Sequence, residues 1–255
     1  MSRLQSFLDK LVDKKIAMDA EAEGGNGGGQ SHAQSSVYGH KSYWDDRYEE
    51  GVIGDSQRRG ELSNEWFVGY AAWREDLHEH AARGGAAVLL GIGLSLLGED
   101  MVEDGYTDVL AVDFSEVCIE RLQGEQARRT LERRRAAKAA GEGVPAPAAM
   151  ARYEVMDVTA LECGDGSVDA CIDKATIDTL YNLEDGEAAV AKMLAECSRV
   201  LRGGGKYICL SYSGPEDRLE MLQQAGWGWE LVEHKEVRKN KATFHLYVMQ
   251  KGGGV

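Results

Sequence analysis

A short apolar run that ends in a Gly-x-Gly turn constrains the fold more than any other feature of this chain. The run Val88-Leu89-Leu90 leads into Gly91-Ile92-Gly93, and a helical pattern follows. Asp113 stands at the end of the next apolar run. A strand, a glycine turn, a helix and a carboxylate about 20 residues further on form the arrangement with which an α/β sheet holds the ribose of a nucleoside. The sequence therefore predicts an α/β fold with a nucleoside-containing ligand.

The glycine turn is compatible with two cofactors, NAD and S-adenosylmethionine (SAM). Gly91 and Gly93 lack side chains where the backbone must approach the ligand. Leu96 replaces the third glycine of a dinucleotide fingerprint, which a pyrophosphate needs and SAM does not. Asp113 is expected to accept hydrogen bonds from both ribose hydroxyls; in the alternative interpretation it caps the helix that starts at Ser115. The turn favours SAM and leaves NAD open.

Short apolar runs alternate with helical patterns from Ala86 onward. Candidate strands are Ala86–Leu90, Val109–Val112, Tyr153–Met156, Val168–Ile172 and Lys206–Tyr212, with helices around Leu96–Asp104, Glu116–Ala140, Thr176–Leu183, Glu187–Val200 and Glu216–Gln224. Two further runs, Trp229–Val237 and Thr243–Gln250, predict an antiparallel hairpin. We therefore expect a mostly parallel seven-stranded sheet with helices on both faces and a C-terminal antiparallel hairpin, the Rossmann-like layout of class I methyltransferases.

The sequence divides into an appendage, residues 1–35, and a methyltransferase-like domain, residues 36–255. Apolar residues at helical spacing between Leu4 and Ile16 predict an amphipathic helix, which a Gly-rich linker separates from the domain. Docking on the domain or disorder is favoured for this helix over pairing with a partner or lying on a membrane. Residues 124–150 are expected to form a basic helix extension and a loop insertion, with the basic face solvated.

Charge and composition limit the partners. The chain has 43 acidic and 29 basic residues, a net charge of −14, which favours a basic protein partner over DNA, although solubility explains the acidity equally well. Its longest apolar stretches fall short of the about 18 residues that cross a bilayer, and Asp9 and Asp13 are atypical of a leader. We expect a cytoplasmic protein without stable membrane association. Five cysteines without Cys-x-x-Cys spacing indicate reduced thiols and no metal site.

Two further sequence positions are expected at the carboxyl edge of the sheet, where ligands of open α/β sheets bind. Asp157 follows the third strand and is placed to accept from an adenine amine, with Met156 and Val158 beside the ring. Asp173-Lys174-Ala175-Thr176 follows the fourth strand, where a methyl acceptor arrives. A lysine there must be paired or bound to a ligand, and a role in holding the cofactor is favoured for Lys174. This position lacks the Asn/Asp-Pro-Pro-Tyr tetrad of enzymes that methylate the amino group of adenine or the side-chain amide of glutamine, which disfavours these two acceptors.

Together with these residues, the ordered motifs resemble those of the lysine methyltransferases that act on translation elongation factor 1-alpha. The motifs are Tyr43-Trp44-Asp45-Asp46-Arg47-Tyr48, Glu65-Trp66-Phe67, Leu90-Gly91-Ile92-Gly93-Leu94-Ser95, Val112-Asp113-Phe114-Ser115, Met156-Asp157-Val158, Asp173 to Leu180, Ser198-Arg199-Val200-Leu201, Gly203-Gly204-Gly205 and His245 to Gly253. The resemblance covers residues 38–253. Ala175 and Ile177 depart from the family, which usually has Gly and Leu there, and the insertion at 124–150 is atypical.

The resemblance implies a SAM-binding site and a set of residues for it. Its cofactor-binding residues are Trp44, Tyr48, Trp66, Gly91, Gly93, Asp113, Phe114, Asp157, Val158 and Lys174. Aromatic faces attract a sulfonium cation, although core packing is the ordinary explanation of such a cluster. The candidate catalytic residues are Asp173, Lys174 and Asp178, of which the two aspartates are candidates to take the proton from the lysine.

The function that follows is methyl transfer from SAM to a lysine side chain of a protein, with elongation factor 1-alpha as the expected substrate. In-line transfer depends mainly on alignment of amine, methyl and sulfur, and it needs no metal. The alternatives are a SAM enzyme that acts on a small molecule, a non-catalytic binding module on the same fold, and an NAD oxidoreductase.

Overall fold

A seven-stranded sheet organises the chain. The computed structural model describes residues 41–50, 65–141 and 149–253. The strands are β1 (Ala86–Leu90), β2 (Asp108–Asp113), β3 (Arg152–Val155), β4 (Val168–Lys174), β5 (Leu201–Ser211), β6 (Trp229–Lys239) and β7 (Ala242–Lys251), and they lie in the order β3-β2-β1-β4-β5-β7-β6. The first five strands are parallel, and β7 pairs antiparallel with both β5 and β6. The predicted fold class is confirmed.

Helices follow the strands and cover both faces of the sheet. They are α1 (Lys41–Glu50), α2 (Arg74–His80), α3 (Leu97–Glu103), α4 (Glu116–Ala139), α5 (Thr176–Tyr181), α6 (Gly186–Val200) and α7 (Pro215–Leu222). Two short 3-10 turns, Tyr70–Ala72 and Ala225–Trp227, lie between these elements. The helices predicted within the described residues are present, with ends that differ by a few residues because caps and turns, not periodicity, decide where a helix stops.

The strands divide the core into two layers because successive side chains point to opposite faces. In β1, Leu89 packs on one side with Met101 of α3 and Leu122 of α4. Its neighbour Leu90 packs on the other side with Met193 of α6. Each central strand is covered on both faces, so continuous apolar runs are what its sequence requires.

One strand is longer than the sequence predicts. Strand β5 begins at Leu201 rather than Lys206, and its register with β4 shifts between Val168 and Ala170. Gly204 takes a positive φ of 79° in this irregular stretch, which a glycine adopts without steric cost. A run of three glycines ordinarily signals a turn, so the strand start was missed.

Several predictions fall partly or wholly outside the described residues. The amphipathic helix and glycine linker within residues 1–35 lie outside them, as do residues 142–148 of the predicted insertion. The described part of that insertion continues helix α4 to Ala139. Arg128 and Arg129 of this helix form ion pairs with Glu125 one turn earlier, so part of the basic face is neutralised within the helix. The domain division stays a prediction.

All five cysteines lie within the described residues and are free thiols. Cys118, Cys171, Cys197 and Cys209 are buried free thiols, and Cys163 is half-buried. None of the helices in the described segments combines the length and the apolar character that crossing a membrane requires.

Candidate functional site

A pocket opens at the carboxyl ends of β1 and β4. Strand β1 pairs with β2 on one side and with β4 on the other, so the chain order reverses at β1, which is where ligands of open α/β sheets bind. The cavity measures about 980 Å³, part of it open to solvent. Its walls are mainly apolar and aromatic with a few polar groups, as is typical of small-molecule sites.

The turn after β1 brings the backbone close to the pocket. Gly91 and Gly93 both take positive φ angles, 54° and 53°. A Cβ atom at Gly91 would lie 2.5 Å from Oγ1 of Thr176, and one at Gly93 would lie 3.3 Å from the hydroxyl of Tyr48. Both glycines line the cavity. Conformation and space therefore require glycine at the first position, and conformation requires it at the second.

Asp113 stands at the end of β2 as predicted and lines the pocket. One carboxylate oxygen accepts from the backbone N–H of Gly93 at 2.9 Å and the other from that of Ser115 at 3.0 Å. Burial raises the pKa of this carboxyl to about 6. The helix cap of α4 is the hydroxyl of Ser115, which accepts from the N–H of Cys118 at 3.2 Å. Asp113 accepts from the N–H of this cap residue and also lines the pocket, so its contact with the helix start is compatible with a role at the ribose.

Three aromatic side chains form one wall of the pocket. Trp44 and Tyr48 come from α1, with ring centroids 5.8 Å apart, and Trp66 meets Trp44 edge-on at 6.2 Å. Asp45 links helix α1 to the start of α4, because its carboxylate accepts from the hydroxyl of Ser115 at 2.5 Å. Trp44 and Tyr48 are nearly buried and belong to the core as well as to the pocket. The core-packing interpretation is therefore confirmed for Trp44 and Tyr48, and contact of the cluster with a sulfonium stays a prediction.

The residues predicted to lie beside an adenine, together with the predicted cofactor contact Phe114, also line the cavity. Phe114, Met156, Asp157 and Val158 all contribute to its surface. Asp157 is exposed, and one of its oxygens accepts from both the N–H and the hydroxyl of Thr159, each at 2.8 Å. Strand β3 ends at Val155, so Asp157 lies in the following turn rather than in the strand.

Lys174 lines the pocket but is engaged by a side chain that the sequence analysis did not assign to the site. Its ammonium donates to Glu65 at 2.6 Å and to the carbonyl of Trp66 at 3.2 Å. The Lys174 side chain is 6% exposed and that of Glu65 is 19% exposed. The requirement that a lysine here be paired is met by protein, independently of any ligand.

Asp173 and Asp178, the expected proton acceptors, lie beneath the pocket rather than in its wall. Asp173 accepts from the hydroxyl of Tyr207 at 2.7 Å and from two backbone N–H groups of α5, and burial raises its pKa to about 7. Asp178 forms a buried ion pair with Arg218 at 2.9 Å. In β4 the side chain of Asp173 falls on the face of Cys171, away from Lys174, because neighbours in a strand alternate. The expectation that either one takes the proton has no geometric support.

Helix α5 supplies site residues that the sequence analysis missed. Thr176, Thr179, Leu180 and Leu183, at and just beyond this helix, line the pocket. Its start depends on Ala175, a non-glycine residue at a φ of 74°. These residues could have been found from their position in the sequence alone, because the segment directly after β4 was expected to meet the methyl acceptor.

One group of side chains among the described residues has the spacing of a metal site. Glu79, His80 and Glu233 bring one ligand atom each within 4.8 Å of the others. His80 also contacts the ammonium of Lys206 at 3.2 Å, and Lys235 lies 3.9 Å from Glu233. His80 already pairs with Glu233, and Lys235 pairs with Asp76 as well as lying near Glu233, so this cluster has the character of an ion-pair network. It contains no residue that lines the pocket.

Comparison with known proteins assigns the family. Residues 88–209 match the model of a methyltransferase domain. EEF1A lysine methyltransferase 4 of Bos taurus is 31% identical over 223 residues, 84% of this chain and 76% of that protein. The chain belongs to this family of SAM-dependent methyltransferases. The eEF1A lysine and N-terminal methyltransferase of Mus musculus is 28% identical over 69% of this chain, which spans 22% of that larger protein.

The structural comparison agrees with the methyltransferase fold. The 1,6-didemethyltoxoflavin-N1-methyltransferase of Burkholderia thailandensis, solved with S-adenosylhomocysteine, has a TM-score of 0.56 at 18% identity, covering 89% of this chain and 93% of that one. At this identity the likeness concerns the fold alone. The methyltransferase described here has the same sheet layout and places its pocket at the switch point of that sheet.

The pocket of this methyltransferase fits SAM on its own chemistry. The glycine turn leaves space for backbone approach, Asp113 offers a carboxylate at the strand end, and apolar side chains flank Asp157. The aromatic wall suits a sulfonium cation. Its cofactor is SAM, and NAD is not needed to explain any of these features.

Proposed function

We propose that this methyltransferase transfers the methyl group of SAM to a lysine side chain of a protein, with translation elongation factor 1-alpha as substrate. The observation that carries the proposal is the 31% identity, over 84% of this chain, to a protein named EEF1A lysine methyltransferase 4. The preserved glycine turn, aromatic wall and strand-end carboxylate support it from the side of the site.

The proposed cofactor contacts follow from where each side chain lies. Asp113 accepts from the ribose hydroxyls, and the Gly91 to Gly93 turn lies beside it, with the N–H of Gly93 donating to its carboxylate. Phe114 and Val158 pack against the adenine, and Asp157 accepts from its amine. Trp44, Tyr48 and Trp66 enclose the sulfonium end. Lys174 lines the same pocket.

The chain's contribution to the chemistry is alignment and desolvation. Bound SAM supplies a methyl group on a positively charged sulfur, an electrophile that needs no metal. Fixing amine and methyl in line supplies about 7–11 kcal/mol of the barrier. The target lysine must arrive neutral, against a free pKa near ~10.4. Desolvation on entry to the pocket and the like charge of the neighbouring sulfonium disfavour the ammonium form and lower that pKa, so the lysine gives up its proton to water before it attacks the methyl group. Asp173 and Asp178, which do not line the pocket, are assigned no part in this step.

The net charge of −14 supports a basic protein substrate and disfavours DNA. An exposed lysine in a basic region of an elongation factor is steered toward such a surface. We place the reaction in the cytoplasm, where translation factors act.

Labelled SAM tests the proposed function directly. The purified chain is incubated with labelled SAM in two parallel reactions. One reaction contains a host-cell lysate, and the other contains a protein-free extract of the same cells. We expect label on a protein of the size of elongation factor 1-alpha, and none with an Asp113→Ala variant. Label confined to metabolites supports a small-molecule methyltransferase instead. Absence of SAM binding by calorimetry refutes the enzyme and leaves a binding module.

A further inference from the structure

Glu65 connects two sides of the pocket through one carboxylate. One oxygen accepts from the hydroxyl of Ser95 at 2.8 Å and from the N–H of Leu96 at 3.1 Å, in the turn that follows β1. The other accepts from the ammonium of Lys174 at 2.6 Å, at the end of β4. Glu65 therefore spans the two strand ends between which the pocket lies.

Trp66 is held by the same contacts. Its ring lines the pocket, and its carbonyl accepts from Lys174 at 3.2 Å. On its other side Phe67 adopts a φ of 65° and stacks on Phe244 of β7, with ring centroids 4.6 Å apart. A non-glycine residue keeps such a conformation only when its surroundings fix it. Residues 65–67 thus form a short strap whose path is fixed on both sides.

Glu65 and the carbonyl of Trp66 engage two of the three N–H donors of the Lys174 ammonium. Its ammonium is engaged by a carboxylate and a carbonyl, and its side chain is almost fully buried. Removing either partner of a buried pair leaves an uncompensated charge. Lys174 is also the one basic residue that lines the pocket in the described parts of the chain, so its pairing decides the local charge.

We propose that Glu65 and Lys174 act as one positioning unit that holds the Trp66 wall of the SAM pocket in place, and that Lys174 acts through Glu65 rather than by touching SAM. This inference rests on the proposed cofactor site and assigns a role within it. It makes Glu65 a functional residue and moves Lys174 from the cofactor contacts to the support of the wall.

A double-mutant cycle on SAM affinity tests the pairing. The variants are Glu65→Ala, Lys174→Met and the double variant, each measured by calorimetry. We expect each single change to raise the Kd by about tenfold and the double change to raise it no further, because the two residues act as a unit. Steady-state kinetics are expected to show a larger change in KM for SAM than in kcat. Asp108→Ala, which removes an exposed ion pair with Arg152 at the start of β2, serves as the matched control with unchanged Kd.

A direct contact of Lys174 with SAM gives the opposite pattern. Glu65→Ala then frees the ammonium, so the Kd is unchanged or lower, and the effects of the two changes multiply. Either result overturns the inference. Thermal unfolding checks that each variant is folded. If Glu65→Ala is not folded, Glu65→Gln replaces it, because the amide keeps an oxygen for Ser95 and Leu96 but loses the charge. The same rise in Kd is then expected of Glu65→Gln. A wild-type chain that binds no SAM refutes the proposed function itself, which is a separate outcome.

Discussion

The glycine at position 91 is the site where one methyl group is expected to do the most damage. In Gly91→Ala, the new Cβ would lie 2.5 Å from Oγ1 and 2.8 Å from Cγ2 of Thr176. Thr176 is anchored, since its hydroxyl donates to the carbonyl of Leu90 at 2.7 Å. Its backbone also begins helix α5, which lines the pocket. The clash therefore displaces an element of the site.

The magnitude has two parts. An alanine at a φ of 54° costs about 1–2 kcal/mol because its Cβ crowds the following carbonyl. Forcing extra volume into a packed contact costs about 1–3 kcal/mol more. We expect Gly91→Ala to lower the free energy of unfolding by about 2–5 kcal/mol and to weaken SAM binding.

Gly93→Ala is the matched control. Its φ is 53°, nearly the same, but the nearest contact of its Cβ is the hydroxyl of Tyr48 at 3.3 Å. It is expected to cost only the conformational part, about 1–2 kcal/mol. Urea unfolding, with the midpoint and slope compared for both variants, measures the difference.

A second-site change separates the two parts. Thr176→Ala in the Gly91→Ala background removes both close atoms, Oγ1 and Cγ2. The double variant is therefore expected to be more stable than the summed losses of the two single variants predict. Equal losses for Gly91→Ala and Gly93→Ala, or no recovery in the double variant, would show that the contact with Thr176 does not determine the requirement for glycine.

Three further predictions concern charge and backbone. Because the pKa of Asp113 is about 6 and the ribose hydroxyls need its ionised form, SAM affinity is expected to fall about tenfold between pH 7 and pH 5, and calorimetry of Asp113→Asn should show a weaker, flatter profile. Asp173, whose pKa is raised to about 7, contributes stability that is complete below pH ~4 and is lost as the pH rises through 7. The stability advantage of wild type over Asp173→Asn should therefore shrink from pH 5 to pH 8 in urea unfolding; a growing advantage contradicts this sign. Ala175→Val is expected to cost about 1–3 kcal/mol, whereas Ala175→Gly is expected to raise the free energy of unfolding by about 1 kcal/mol, because a φ of 74° disfavours any Cβ atom and a β-branched side chain most of all.

The sheet and its binding edge could be predicted because they follow from local patterns. Buried parallel strands require continuous apolar runs, and the run ending at Leu90 is one of them. The carboxyl ends of such strands meet at one edge, so Asp113 and Asp157 were expected together and both line the pocket.

The partner of Lys174 could not be predicted from local patterns. Glu65 lies 109 residues away in sequence, and no spacing rule joins a loop residue to a strand end at that distance. The resemblance implied that Lys174 contacts SAM, which stays a prediction; Lys174 does line the pocket, but nothing in the resemblance indicated Glu65 as its partner.

Asp173 and Asp178, the expected proton acceptors, do not line the pocket, and the reason is different. Asp173 and Lys174 are adjacent in β4, so they must face opposite sides of the sheet. The same strand rule that predicted the sheet would have separated them. Asp178 is drawn inward by Arg218, a residue of α7 that sequence spacing does not connect to it.

The central claim is methyl transfer to a protein lysine, and mass spectrometry of elongation factor 1-alpha tests it most directly. The factor is incubated with SAM and either the wild-type chain or Asp113→Ala, digested and mapped. We predict a lysine that is methylated only with the wild-type chain. An unmodified factor, in a reaction where calorimetry shows the wild-type chain binding SAM, would contradict the account.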